Sequence, residues 1–118
     1  MQDLINKLNK TTMLQEARLT QPKQWGGSSF HGTTITLTPR QLIDYCEKNN
    51  IDYCDNNTGE GKTNFDFDFD TKEGVYFTVY DWKEYRKLSL DEYVNWHIGG
   101  KSRSDTMSAY FELKKAIQ

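Results

Sequence analysis

The most constraining feature of this chain is the run Phe65-Asp66-Phe67-Asp68-Phe69-Asp70, in which aromatic and acidic residues alternate without a break. Side chains alternate across a β-strand with period two, whereas a helix would scatter the phenylalanines around its whole surface. The run therefore predicts a strand with Phe65, Phe67 and Phe69 on a core face and the carboxylates of Asp66, Asp68 and Asp70 in water on the other. Lys72-Glu73-Gly74 supplies a turn. The segment Val75 to Trp82 is a second strand, rich in β-branched and aromatic residues, so the two pair as an antiparallel hairpin.

Elements on either side complete a domain. The main domain starts near Phe30, and His31 to Thr38 alternates and is rich in β-branched residues, which predicts a strand. Thr38-Pro39 then gives an N-cap and a first-turn proline to a helix with Leu42, Ile43 and Cys46 on its apolar stripe, ending near Asn49-Asn50. Asp55 to Gly61 is a polar loop and Lys83 to Ser89 a charged one. Asn95 to Ile98 reads as a short strand ended by Gly99-Gly100. A last helix, from about Ser104 to Ile117, carries Met107, Tyr110, Phe111 and Leu113 at helical spacing, with Ser102 or Ser104 as its cap. The expected fold is α+β: a small, mainly antiparallel sheet with helices packed on one face, in the order β-α-β-β-β-α, over residues 25–118. Residues 1–24 read as an appendage. Leu4, Ile5 and Leu8, then Leu14 and Ala17, mark amphipathic helical turns, and a linker rich in Pro, Gly and Ser follows.

Composition excludes several classes of function. A chain of 118 residues holds one core. A net charge of −2 is not that of a general nucleic-acid binder. No apolar run reaches the roughly 20 residues of a membrane span. The first residues also lack the basic and apolar regions of a signal peptide, so a cytoplasmic location is expected. Cys46 and Cys54 are expected as free thiols. With only His31 and His97 to join them, a zinc site has too few ligands, and no Cys-x-x-Cys motif marks a redox pair. No cofactor or metal is expected.

Three motifs taken together resemble a known family. Lys62-Thr63-x-Phe65, the strand end Tyr80-Asp81-Trp82-Lys83 and Trp96-His97-Ile98-Gly99-Gly100 are similar to those of small, mostly uncharacterised proteins from double-stranded DNA bacteriophages and large DNA viruses. Phe30-His31-Gly32-Thr33 and the helix after Thr38 fit the opening of that pattern, and the resemblance covers about residues 30–117. Asp52-Tyr53-Cys54-Asp55 departs from it, because relatives more often carry a Gly-x-Pro turn there. The resemblance implies a viral or phage origin and the α+β fold, and it implies no reaction. By analogy it suggests an accessory factor in the host cytoplasm that binds and inhibits or modulates a host protein, including a component of host defence.

The residues themselves offer candidate surfaces. Gly99-Gly100 before a helix, beside Lys101 and Arg103, could form an anion pocket; a tight connector needing positive φ would look the same in sequence. It is not a P-loop, since Asn95 stands where that motif needs glycine. His97 could act as a base if Asp81 oriented it, or the two could share a structural hydrogen bond. The acidic row fails the EF-hand pattern at Thr71 and Phe77. As a docking stripe, Asp66, Asp68 and Asp70 would join Tyr76 and Tyr80 against a partner protein. A different reading is a small-ligand module for a nucleotide or cyclic nucleotide, using Lys62, Asp81, Trp82, Lys83, His97, Gly99 and Gly100. A hydrolase or nuclease is the weakest reading, because no complete catalytic set is visible. A homodimer is open to a chain with an amphipathic appendage.

Overall fold

The computed structural model describes residues 18–117, so the helical turns expected before Arg18 lie outside the described residues. Within them the elements are β1 (Leu19–Thr20), β2 (Ser29–Leu37), α1 (Pro39–Lys48), β3 (Tyr53–Asp55), β4 (Phe65–Thr71), β5 (Tyr76–Tyr80), β6 (Val94–Gly100) and α2 (Arg103–Ile117). The fold is α+β, with a mainly antiparallel sheet in the order β1-β4-β5-β6-β2. β5 occupies one edge of β4, so β1 and β3 divide the other: Leu19 pairs with Thr71, and Tyr53 with Phe67. Leu19 is fully buried and its N–H donates to Tyr45 Oη at 3.1 Å, which draws residues assigned to the appendage into the sheet.

Period two sets the two faces of the sheet. Phe65, Phe67 and Phe69 stand beside Phe77, Val79, Trp96 and Ile98, all essentially inaccessible. Phe67 and Trp96 pack edge-on with centroids 5.7 Å apart, and Phe69 and Phe77 pack tilted at 5.3 Å. Each such pair adds about 0.5–1.5 kcal/mol to the burial of its area. The indole Nε1 of Trp96 donates to Leu37 O at 2.9 Å, so even this large buried ring leaves no donor unpaired.

Both helices cover that same face. α1 begins with a full capping box between Thr38 and Gln41 and buries Leu42 and Cys46, as its sequence predicts. α2 differs from expectation. It buries Thr106, Ala109 and Leu113 and leaves Met107 and Phe111 41% and 54% exposed. The cause is close approach. Thr33 Oγ1 and Thr106 Oγ1 lie 2.7 Å apart, and a Cβ on Gly100 would come within 2.9 Å of Thr106 Cγ2, so at this end of the helix only a small side chain fits against the sheet, and Leu113 is buried further along.

A second correction concerns Gly99 and Gly100. They form the end of strand β6, with ordinary negative φ, and not a left-handed turn. Ser102 caps α2, its Oγ accepting from Asp105 N–H at 3.1 Å. Within the described strands the glycine with positive φ is Gly32, at +91°, inside the bulge where the β2–β6 register shifts between Phe30 and Thr34.

Candidate functional site

With both helices on one face, the other face of the sheet carries the second set of alternating residues. Its rungs follow from the register. Asp66 stands opposite Tyr80 and Tyr80 opposite His97, while Asp68 stands opposite Thr78 and Thr78 opposite Gly99. The bulge in β2 brings Phe30 opposite Gly99, and its ring stacks on His97 with centroids 3.9 Å apart and planes at 13°. Tyr80 meets His97 edge-on at 5.5 Å and Trp82 edge-on at 6.0 Å, and Trp82 lies 6.3 Å from His97. Four rings therefore form one patch on the face opposite the two described helices, with Phe30 42% and Trp82 40% exposed.

Cations flank this patch. Lys62 Nζ lies 5.9 Å and Lys83 Nζ 5.5 Å from the centroid of the Trp82 ring. Their placement has a structural cause: Lys83 N–H donates to Lys62 O at 2.7 Å, and Lys83 itself has φ of +56°. Beneath them is Asp81, fully buried on the core side of the sheet. Its carboxylate accepts from Asn64 N and Phe65 N, each at 2.8 Å, and from Asn64 Nδ2 at 3.0 Å. Asn64 in turn accepts from Gly59 N–H and donates to Arg86 O, each at 2.9 Å. This node ties together the loops that carry Lys62, Trp82 and Lys83.

The expected Asp81–His97 partnership is thereby corrected. The two side chains lie on opposite faces of the sheet, because Asp81 follows Tyr80 by one residue and so points the other way. His97 is packed against rings, and its burial lowers its pKa, leaving a neutral imidazole near pH 7.

The acidic row is likewise corrected: it does not sit in open water. Residues 21–28 return across one end of the same face. Lys23 N–H donates to Asp70 at 3.1 Å, Ser28 Oγ reaches Thr78 Oγ1 at 3.5 Å, and the Trp25 side chain hydrogen-bonds Asp68. Asp70 is buried, and Asp66 and Asp68 are half-buried. Burial raises the pKa of Asp66 to about 6, with its hydrogen-bonded neighbour Asp68 adding to the shift. Burial also raises Asp68, opposed by the hydrogen bonds from Tyr76 and Trp25. Asp66 Oδ1 is buried with no hydrogen-bond partner among the described residues. Tyr76 and Tyr80 have raised pKa values from burial, so both phenols are neutral donors.

The remaining expected residues fall at the other end or on the other side. Lys101 lines a cleft of about 580 Å³ with Lys23, Trp25, Asp70 and Tyr76, at the far end of the open face from Trp82. Gly99 lies between the two ends, and a Cβ there would meet Thr78 Oγ1 at 2.5 Å. Gly100 faces Thr106 of α2, and Arg103 opens that helix, exposed. Phe30 was missed as a site residue. Its signal was its even spacing from Thr34 and Thr36, which puts all three on one face of the strand. Among the described residues no three His, Cys, Asp or Glu side chains converge as metal ligands, and no helix is long and apolar enough to cross a membrane. Comparison with protein-family models, curated proteins and solved structures yields no match.

Proposed function

We propose that the chain is a binding module whose sheet face opposite the two described helices receives a planar, negatively charged ligand of the nucleotide class. The observation that carries this is the patch of Phe30, Tyr80, Trp82 and His97 with the ammonium groups of Lys62 and Lys83 set over Trp82. A base stacked on such rings gains about 1–3 kcal/mol, and two lysines beside it suit a phosphate. Asp66 stands opposite Tyr80 on the same rung, where a carboxylate can accept from the N–H edge of a base. The acidic pair and the net charge of −2 favour a ligand of mononucleotide size over a nucleic-acid polymer.

The test is calorimetric titration with nucleoside monophosphates and cyclic mononucleotides. Saturable heat is expected for the chain and its loss for Trp82→Ala and for the double variant Lys62→Ala/Lys83→Ala. Absence of binding across the set overturns the reading. A protein partner, the first reading of the sequence, has its own support in the exposed rings of Trp25, Tyr85 and Tyr93. A host protein as that partner, in a phage or viral setting, is the proposal made by the Tyr80–Lys83 and Trp96–Gly100 motifs.

A further inference from the structure

Away from the open face, β2 ends the sheet, and among the described residues no strand pairs with its outer edge. A groove of about 350 Å³ runs along that edge. One wall is formed by four consecutive residues, Thr34 to Leu37. Neighbouring residues of a strand point to opposite faces, so four in a row line one groove through the strand's main-chain edge. The other wall is a stripe of α2, Tyr110, Lys114 and Ile117, at spacings of four and three residues, joined by Gln41 of α1.

Edge strands that stay unpaired are commonly blunted by lysine, proline or inward charge. Ser29–Leu37 has no Lys, Arg, Asp, Glu or Pro, and its bulge at Gly32 lies beyond the groove, leaving Thr34 to Leu37 straight and neutral. The apolar lining comes from Ile35, Leu37 and Ile117. Among the described residues that line it, the one with a charged side chain is Lys114, exposed, with Nζ 5.7 Å from the Tyr110 ring centroid.

We infer that this groove takes an extended segment of another protein as an added strand. Main-chain hydrogen bonds to Thr34–Leu37 hold it, alternate apolar side chains enter the groove, and an acidic side chain meets Lys114. This is strand addition, in which the edge supplies affinity and the groove supplies selectivity. It is independent of the ligand reading of the open face.

The probe is a short synthetic peptide alternating valine and threonine, with one central glutamate and a fluorophore, titrated against the full chain by anisotropy. Saturable binding is expected. N-methylating every second peptide nitrogen removes donors along one edge only, so one of the two possible N-methylation patterns should abolish binding and the other leave it intact. Lys114→Glu, at an exposed position, should weaken binding about fivefold, as for an exposed ion pair. Exchanging the peptide glutamate for lysine should then restore it. Absence of binding, equal loss with both methylation patterns, or indifference to Lys114→Glu overturns the inference. So does sedimentation as a dimer that the peptide cannot dissociate, since the edge would then belong to a second copy.

Discussion

Replacing Asp66 with asparagine probes a group that the fold holds at some cost. Its carboxyl stands beside Asp68 under partial cover, and burial first, then Asp68, raises its pKa to about 6. The folded chain thus binds this proton more tightly than the unfolded chain, whose aspartates titrate near 3.9. The sign follows. The stabilising contribution of the bound proton is complete below about pH 4 and is lost as pH rises through about 6. The interval between those values corresponds to about 3 kcal/mol, and solvent around a half-exposed carboxyl reduces it to about 1–2 kcal/mol. Asparagine keeps the shape and removes the charge. Asp66→Asn is therefore expected to be more stable than the parent by about 1–2 kcal/mol at pH 7.5, and equal to it near pH 4. Urea denaturation followed by fluorescence of the buried Trp96 measures both. Glu92, lowered to about 2 by Arg86, is present in both proteins and cancels in the difference. A variant less stable at pH 7.5, or a difference that does not change with pH, would refute the reasoning.

Other expectations concern the frame around the open face. Asp81→Ala leaves two backbone N–H groups and the Asn64 amide without their acceptor, and should cost about 3–5 kcal/mol in urea titrations. A loss under 1 kcal/mol would contradict its role as the node of the loops. Gly99→Ala drives a methyl into Thr78 Oγ1 and should cost about 1–3 kcal/mol, with Thr78→Ala recovering part of the loss in a double-mutant cycle. For the thiols, Cys46 is buried with its pKa pushed up to about 12, whereas Cys54 is exposed. A thiol reagent should therefore label Cys54 alone in the native chain and both residues in urea.

Much of the frame was legible because it depends on local periodicity. Strict alternation placed Phe65, Phe67 and Phe69 on the core face, and Thr38-Pro39 marked the start of α1 correctly. What failed depended on which distant segment covers which face. The phenylalanines cannot reveal that residues 21–28 fold back over Asp68 and Asp70, so the acidic row looked solvated. Met107 and Phe111 are large apolar side chains of α2, but the short distance from Gly100 to Thr106 sets the helix so that Thr106, Ala109 and Leu113 face the sheet. The glycine pair suggested a turn, although its requirement comes from close packing against Thr78 and Thr106 in the strand itself. Asp81 belongs to the Tyr80–Lys83 motif, yet one step of strand parity separates it from the rings of the candidate site and makes it their support.

The most direct test of the open face is a nuclear magnetic resonance titration of the full chain with guanosine and adenosine monophosphates. The Trp82 indole and the Phe30 and His97 rings are expected to shift together and saturably, and Trp82→Ala to abolish the shifts while Trp96 keeps its native resonance. Unmoved resonances on these rings at saturating ligand, or the same shifts in Trp82→Ala, would contradict a binding site on this face.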